Sequence, residues 1–244
     1  MPEHAAHFVI ECENAPGPAV LVCEHASNDF PSPWGGLGLN DAQRQAHIAW
    51  DPGALGLARE LAQRLGAPML HGTASRLIYD LNRPPHSPAA MPERSEVHEI
   101  PGNLGLSTEE RLRRTEAIYI PFHAALSDLL ARRLAVGQRP VLITVHSFSR
   151  IYFGQTREVE FGILHDADDR LARAVAARDV GLETRLNEPY SVADGVTHTL
   201  ARNAMPLGLA SVMLEIRNDL LARSQVSMAE RLAPVLQAAI EEVA

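Results

Sequence analysis

Residues 142–150 read Leu-Ile-Thr-Val-His-Ser-Phe-Ser-Arg, and residues 211–219 read Ser-Val-Met-Leu-Glu-Ile-Arg-Asn-Asp. In each stretch a short apolar run ends in a cluster of polar side chains. Apolar runs of this length are typical of buried strands, and such a strand needs neither His146 nor Glu215 at its end. Residues 19–28 repeat the pattern, with an apolar run followed by Glu-His. Strand ends that carry His, His and Glu are what a hydrolytic metal site requires.

The order of the predicted elements indicates the fold class. Strands are predicted over residues 19–24, 69–73, 76–81, 141–145, 161–164 and 211–214. Helices are predicted over 41–49, from Asp51-Pro52 to Leu65, from Ser107 to Ala135, and near 167–178, 195–204 and 226–242. This alternation predicts a single α/β domain over residues 1–244, with a mostly parallel or mixed sheet and helices on both faces. In open sheets of this kind the site lies at the carboxyl ends of the strands, where His25, His146 and Glu215 fall.

Two segments carry clear local signals. Asp51 before Pro52 is a good N-cap with Pro at the first helical position, and Gly66 is suited to end that helix. Residues 84–105 contain five Pro and two Gly, which predicts a long irregular loop. A loop of that length inside a compact domain is more often functional than idle.

Composition restricts the partners. The chain has 244 residues and a formal net charge of −8, and all 22 of its basic residues are Arg. Without clustered basic residues, we expect neither nucleic acid nor a membrane surface as a partner. The absence of Lys excludes Schiff-base and P-loop chemistry, and two cysteines without Cys-x-x-Cys spacing exclude a thiolate zinc site. No stretch has a signal-peptide pattern or the ~18 apolar residues of a membrane span, so we expect a cytoplasmic protein with a small-molecule substrate.

Six stretches, in order over most of the chain, carry a recognisable set of motifs. They are Cys23-Glu-His-Ala-Ser-Asn28, Tyr79-Asp-Leu-Asn-Arg83-Pro84, Pro121-Phe-His123, Val145-His-Ser-Phe148, Asn187-Glu-Pro-Tyr190 and Leu214-Glu-Ile-Arg-Asn-Asp219. Together they resemble the N-formylglutamate amidohydrolase family. That family is similar in fold and site to zinc carboxypeptidases and aspartoacylases, and its members hydrolyse a formyl–nitrogen amide bond. The resemblance implies a phosphorylase/hydrolase-like fold and one zinc ion as cofactor, but it does not fix the substrate.

The resemblance implies that His25 and His146 bind the metal, and a neutral imidazole at a strand end is a natural zinc ligand. A hydrogen-bonded loop histidine is the alternative for His25. Zinc carboxypeptidases use a His-x-x-Glu pair, whereas here Asn28 stands three residues after His25. Asp51 is the best replacement as third ligand, although a plain helix cap is an equally good reading of it. Glu24 ranks below Asp51 because strand alternation should point it away from His25.

Glu215 is the candidate general base. A carboxylate within hydrogen-bond reach of a metal-activated water takes its proton and passes it to the leaving nitrogen. A carboxylate after Val-Met-Leu is costly to bury unpaired, so an ion pair with Arg217 is the alternative. Side-chain alternation puts Glu215 and Arg217 on one face, which also suits a site in which Arg217 and Asn218 bind substrate.

Asn82 and Arg83 resemble the Asn-Arg pair with which zinc carboxypeptidases and aspartoacylases hold a substrate carboxylate and polarise the scissile carbonyl. Arg has the planar fork for a carboxylate, and Asn can donate to an oxyanion, so Arg83 is counted as catalytic and Asn82 as substrate-binding. A turn before Pro84-Pro85 with a solvated arginine is the alternative.

Other polar residues are weaker candidates. Ser147 lies beside His146 in sequence and is a candidate for orienting its ring or binding substrate. His123 is more often a satisfied core or surface histidine, and only the resemblance brings it toward the site. The resemblance alone also suggests a substrate wall, formed by Asn187, Tyr190 and His198.

Together these residues predict zinc-dependent hydrolysis of a formyl- or acyl-amide bond on a small acidic substrate, with N-formyl-L-glutamate as the leading candidate. A serine hydrolase using Ser27 or Ser147 is a different class, but no Gly-x-Ser-x-Gly elbow surrounds either serine. A non-catalytic protein that binds or senses a small carboxylate on the same fold is the second alternative. The missing acid at position 28 favours that alternative.

Overall fold

The strands of the protein form one large mixed sheet and two small hairpins. The computed structural model describes residues 6–243. Its strands are β1 (Phe8–Glu11), β2 (Ala19–Cys23), β3 (Met69–Gly72), β4 (Arg94–Ser95), β5 (His98–Glu99), β6 (Val141–Phe148), β7 (Ile151–Tyr152), β8 (Gln155–Thr156), β9 (Phe161–Leu164), β10 (Thr184–Leu186) and β11 (Ser211–Arg217). Within the described residues, the large sheet has the order β1-β3-β2-β6-β11-β9-β10, and β4-β5 and β7-β8 pair as separate hairpins.

Parallel pairing in the middle of the sheet determines where the site forms. Strands β3, β2, β6 and β11 run parallel to one another, whereas β1 pairs antiparallel with β3 and β9 pairs antiparallel with β11. Neighbouring parallel strands deliver their carboxyl ends to the same edge of the sheet. The polar residues that follow or end β2, β6 and β11 therefore meet at one edge.

Helices cover both faces of the sheet. They are α1 (Asp41–Gln45), α2 (Ala54–Leu65), α3 (Thr108–Arg114), α4 (Ile120–Ala135), α5 (Arg170–Ala176), α6 (His198–Asn203), α7 (Asn218–Leu221) and α8 (Gln225–Val243). Helices α2, α5 and α8 pack on one face, and α4 and α6 pack on the other. Strands β2, β6 and β11 are buried along their whole length. Cover on both faces explains why these strands read as continuous apolar runs, and the predicted fold class is confirmed.

Local signals set several of the helix ends. Ser107 accepts a hydrogen bond from the Glu110 amide and caps α3, as its sequence predicts. Helix α2 ends at Gly66, whose left-handed backbone (φ 56°) lets its amide bond the carbonyls of Ala62 and Gln63. A π-helical turn over Thr115–Tyr119 joins α3 to α4, so the predicted helical stretch from Ser107 to Ala135 runs in pieces.

Three predicted elements were wrong in type or extent. Residues 76–81 form turns instead of a strand, because the Ser75 hydroxyl accepts the Leu77 amide and the Ser75 carbonyl accepts the Ile78 amide, a serine-type turn. The helix expected to open at Asp51-Pro52 begins at Ala54, with Gly53 in a left-handed conformation as its N-cap. The helix expected over 41–49 ends at Gln45.

The long loop over residues 84–105 has more local structure than its composition predicts. It contains two short 3-10 turns, over Pro88–Ala90 and Pro101–Asn103, and the hairpin formed by β4 and β5.

Among residues 6–243, no helix combines the length and apolar character needed to cross a membrane.

Candidate active site

Three side chains from separate segments converge at the carboxyl edge of the sheet. His146 lies within β6, His25 follows β2 by two residues, and Asp51 precedes α2. One potential ligand atom from each lies within 4.8 Å of the other two, and all three residues are buried. The histidines and the aspartate expected to hold a metal are thus brought together by the fold.

The Asp51 carboxylate lies at the centre of this group. Its Oδ2 is 2.9 Å from His146 Nδ1 and 3.3 Å from His25 Nδ1, and its Oδ1 accepts a hydrogen bond from Arg76 at 3.2 Å. Asp51 does not cap α2, since Gly53 occupies that position. Burial opposes the charge of Asp51, but the neighbouring His25 and His146 outweigh it and hold the pKa of this carboxyl far below its usual range.

A second carboxylate lies behind each imidazole. His25 Nε2 is 2.8 Å from Asp80 Oδ1, and His146 Nε2 is 3.1 Å from Glu24 Oε2. The two Nδ1 atoms therefore face the shared point beside Asp51. Carboxylates on the outer ring nitrogen orient imidazole ligands and raise their basicity. The sequence analysis ranked Glu24 below Asp51 as a ligand and did not recognise its place behind His146.

The site carries an excess of buried negative charge. Glu24, Asp51, Asp80 and Glu215 are all buried here, with Arg76 as the guanidinium that pairs with Asp51 and Asp80. Burial would lower the pKa of His146, but Glu24 and Asp51 raise it well above its usual value. Buried anions need a compensating cation or protons. The arrangement thus suits a bound cation that faces the two Nδ1 atoms and Asp51.

Asn28 lies outside this group. Its side-chain amide donates to the Arg44 carbonyl at 3.1 Å and to Gln45 Oε1 at 3.0 Å. The carboxylate that lies beside His25 and His146 comes from Asp51, in the next segment of the chain.

Glu215 lies directly beside His146 in the sheet. The two residues are paired in the parallel register of β11 and β6. Glu215 is buried, and its Oε2 has no hydrogen-bond partner among the described residues. Burial raises the pKa of Glu215 to about 7, with the Asp51 charge adding to it and His146 and Arg76 opposing it. A carboxyl that titrates near neutrality can both accept and return a proton.

Asn82 and Arg83 both line the cavity at this edge, but Asn82 is held by the protein. Its amide nitrogen bonds the Val196 carbonyl, and its side-chain oxygen accepts the Thr199 amide at 2.9 Å. Arg83 donates from Nη1 to the carbonyls of Asn82 and Gly195, at 2.9 and 3.0 Å. Arg83 makes no ion pair within the described residues, so its remaining N–H groups are available to a ligand.

Of Ser147, Arg217 and Asn218, which were predicted to bind substrate, the fold brings only Ser147 to the cavity. Its hydroxyl donates to the Pro52 carbonyl at 2.9 Å. Arg217 is outside the cavity lining and pairs with Asp219 at 2.7 Å and with Glu160 at 3.2 Å. Asn218 begins the short helix α7 and is also outside the lining. The pairing of Arg217 with these carboxylates also removes it as a partner for Glu215.

The cavity has a volume of about 540 Å³ and is lined by His25, Asp51, His146, Glu215 and residues of several loops. Part of its rim comes from the long loop over residues 84–105. Glu96 in that loop contacts His47 Nε2 at 2.9 Å and accepts the Phe153 amide at 3.1 Å. The loop thus connects the segment after α1 to the β7-β8 hairpin beside the cavity.

His123 is a satisfied core histidine. Its Nε2 donates to the Leu81 carbonyl at 2.9 Å, which leaves Nδ1 to accept from the Asn203 amide at 3.1 Å. Burial lowers the pKa of His123 to about 4, so the ring is neutral near pH 7.

Of the residues suggested to form a substrate wall, Tyr190 lines the cavity, whereas Asn187 contacts His165. His198 bonds the Tyr119 hydroxyl at 2.7 Å.

Two arginines that line the cavity were missed by the sequence analysis. Arg76 was assigned to a strand, yet it bridges Asp51 and Asp80. Arg157 lines the cavity beside Tyr152 and Tyr190. Neither arginine follows a buried strand of the large sheet directly, and that was the signal used to select candidates. The complete absence of Lys made every arginine an equally plausible cation in the sequence.

Fold and site together define an α/β protein with a buried His–Asp–His group and a carboxylate at the carboxyl edge of its sheet. The family model for N-formylglutamate amidohydrolase matches residues 17–222. The chain therefore belongs to the N-formylglutamate amidohydrolase family, a family of amidohydrolases.

Two solved structures share the fold of this chain. The gene product Atu2144 from Agrobacterium tumefaciens is 46% identical, with a TM-score of 0.96, over 100% of this chain and 98% of that one. An N-formylglutamate amidohydrolase from Ralstonia eutropha JMP134 is 18% identical, with a TM-score of 0.67, over 98% of each chain. At that identity the likeness concerns the fold alone. A comparison with curated proteins found no match.

Proposed function

We propose that the protein is a zinc-dependent amidohydrolase that cleaves N-formyl-L-glutamate to L-glutamate and formate. One observation carries this proposal. One ring nitrogen each from His25 and His146 and a carboxylate oxygen of Asp51 lie within 4.8 Å of one another, and the candidate base Glu215 is next to His146 in the sheet. Family membership supports amide hydrolysis, and the site supports the choice of residues.

The donor set fits zinc. Two histidine nitrogens and one carboxylate oxygen are the usual protein ligands of a catalytic zinc ion, which keeps a further position open. The residues that would hold it are His25, Asp51 and His146, with Asp80 and Glu24 behind the two rings. When bound, zinc supplies Lewis-acid chemistry, which acidifies water and polarises an amide carbonyl.

Glu215 moves the proton in this proposal. Its Oε2 has no protein partner within the described residues, so it is free to accept a proton from the attacking water. As the C–N bond breaks, the same carboxyl returns that proton to the leaving nitrogen, which becomes the amine of L-glutamate. The oxygen of the water ends in formate. A pKa of about 7 suits a group that must act in both directions.

Arg83 supplies positive charge at the cavity wall. Its Nη1 is held by two backbone carbonyls, so the guanidinium is oriented before substrate binds. In the proposal it stabilises the oxyanion that develops on the formyl oxygen, or holds the carboxylate beside it. Asn82 orients the turn that carries Arg83, through its bonds to the Val196–Thr199 segment.

The two alternative functions considered from the sequence, a serine hydrolase and a non-catalytic binding protein, have less support. A serine nucleophile needs an adjacent base, but the Ser147 hydroxyl donates to a backbone carbonyl and Ser27 accepts the Asp29 amide. The non-catalytic reading rested on the missing acid at position 28, and Asp51 supplies a carboxylate at the site.

The test is the Glu215→Gln variant, which keeps the shape of the side chain and removes its basicity. We expect formate release from N-formyl-L-glutamate to fall by about 10²- to 10⁴-fold, while zinc content stays that of the wild type. Glu109→Gln, at an exposed acid of α3, is the matched control and should behave as the wild type. Retained turnover in Glu215→Gln would remove Glu215 from the proton-transfer role.

A further inference from the structure

Arg157 has an unusual setting at the wall of the cavity. It directly follows the β7-β8 hairpin, and its backbone amide donates to the Arg150 carbonyl at 2.8 Å, which closes the hairpin. Its guanidinium carbon lies 4.2 Å from the ring centre of Tyr152 and 4.8 Å from that of Tyr190. The Phe148 ring lies farther away, at 5.6 Å. Aromatic rings on a guanidinium hold its orientation without neutralising its charge.

Arg157 also lacks a carboxylate partner. Within residues 6–243 it makes no ion pair, and its polar contacts are from Nη1 to the Tyr190 hydroxyl at 3.0 Å and to the Ser149 carbonyl at 3.5 Å. By contrast, Arg76 and Arg217 each pair with two carboxylates. Nη2 and Nε of Arg157 are therefore available as a fork for an anion.

The cavity needs a second cationic contact if its ligand is a diacid. Arg217, predicted for that role, lies outside the lining and is already paired. Arg83 and Arg157 are the lining arginines without an ion pair among the described residues, and they come from different segments of the chain. An amide of a dicarboxylic amino acid has two carboxylates, one for each guanidinium.

We propose that Arg157 is a specificity-determining residue that binds the side-chain carboxylate of the substrate through its free N–H groups. The site would then prefer amides of dicarboxylic amino acids to amides of equal shape that carry one negative charge fewer. This inference rests on the proposed function for its choice of substrate. The role it gives Arg157 is tested by binding as well as by turnover.

The experiment compares N-formyl-L-glutamate with N-formyl-L-glutamine, in which a neutral amide replaces the side-chain carboxylate. Binding is measured by titration calorimetry, with glutarate as a third probe, and kcat and KM are measured for both formyl compounds. The variants are Arg157→Met, Arg157→Lys and Arg150→Met. The last removes an exposed arginine from the same hairpin, outside the cavity lining, and is the matched control.

We expect Arg157→Met to weaken binding of N-formyl-L-glutamate and glutarate by about 10- to 100-fold, because a charged group loses its bidentate partner. Binding of N-formyl-L-glutamine should change little, so the discrimination between the two compounds should collapse, mainly through KM. Arg157→Lys should be intermediate, since an ammonium keeps the charge but not the fork. Arg150→Met should match the wild type.

Three results would overturn the inference: an equal loss for both formyl compounds, no loss for either, or a wild type that binds neither dicarboxylate. The first would mean that Arg157 only supports the hairpin. If the wild type binds N-formyl-L-glutamate selectively through Arg157 but releases no formate, the proposed function fails and the role of Arg157 stands.

Discussion

Glu215 on β11 and His146 on β6 are neighbours in the parallel register of the sheet. Each is buried, yet each lines the cavity at the carboxyl edge of the sheet. A fold has no need of a histidine beside a glutamate at this depth, because burying both costs free energy unless they are paired or functional. The pair joins the candidate base to the candidate metal ligands through adjacent strands of the sheet.

Asp51→Asn should lower zinc affinity strongly. Substitutions behind a metal ligand already cost about 10- to 100-fold, and we expect removal of the anionic ligand to cost at least that much. Zinc titration against a competing chelator gives the measurement. Asp41→Asn, which removes an exposed acid paired with Arg44, is the control and should bind zinc as the wild type does. If Asp51→Asn also binds zinc normally, Asp51 is not a ligand.

Asp80→Asn and Glu24→Gln should each weaken zinc binding by about 10- to 100-fold, because each removes the carboxylate behind one imidazole. The same competition titration measures the effect. Asp219→Asn removes a carboxylate that pairs with Arg217 outside the cavity, and it should leave zinc affinity unchanged. Unchanged zinc affinity in both test variants would show that the two acids serve only the fold.

Stability should fall in mild acid because of His123. The pKa of His123 is about 4 in the folded protein against an ordinary value of 6.5, so the unfolded chain takes up the proton first. The stabilisation is therefore complete above pH 6.5 and is lost as the pH falls from 6.5 toward 4. It amounts to roughly 3 kcal/mol for a shift of this size.

Urea unfolding at several pH values tests this effect. His123→Gln should be less stable than the wild type at neutral pH and should show a flatter decline in acid. His86→Gln, at an exposed loop histidine, controls for the loss of a histidine. Parallel declines for the wild type and His123→Gln would contradict the assignment.

Gly162→Ala should disturb both the sheet and the site. Gly162 pairs with Glu215 across β9 and β11, and a Cβ there would lie 2.1 Å from the Glu188 carbonyl oxygen and 3.1 Å from Glu215 Cβ. Backbone cannot move aside cheaply, so we expect a loss of about 1–3 kcal/mol or more, with reduced turnover. At Gly36 an added Cβ would meet only the flexible Arg44 side chain. The thermal unfolding of Gly162→Ala is compared with that of the control Gly36→Ala, and we expect the first variant to unfold at the lower temperature. Equal stability of the two variants would argue against a close fit at Gly162.

Site residues at the ends of strands could be predicted from the sequence, whereas the roles of site residues in loops could not. Apolar runs ending in His146 and Glu215 predicted two strands with their carboxyl ends at one edge of the sheet, because the carboxyl ends of parallel strands meet there. The structure adds that the two strands are neighbours. The sequence did not decide whether Asp51 is a helix cap or a metal ligand, since both roles favour an acid just before a helix. Only the observed start of α2 at Ala54 separates the two.

Contacts between segments far apart in the chain could not be predicted from the sequence. Asp80 reaches His25 across 55 positions from a turn that was predicted as a strand. The predicted substrate role of Arg217 rested on strand alternation, which indicates the face of the sheet on which a side chain lies but not what it contacts. In the structure the Arg217 guanidinium pairs with Glu160 and Asp219. The single-domain arrangement over residues 1–244 and the cytoplasmic location stay predictions, and residues 1–5 and 244 lie outside the described part of the chain.

Zinc dependence is tested most directly by measuring formate release from N-formyl-L-glutamate before and after removal of metal from the wild-type protein. We expect turnover to disappear on chelation and to return when about one zinc per chain is restored. Turnover that survives complete removal of metal, or its absence from protein fully loaded with zinc, would contradict this expectation.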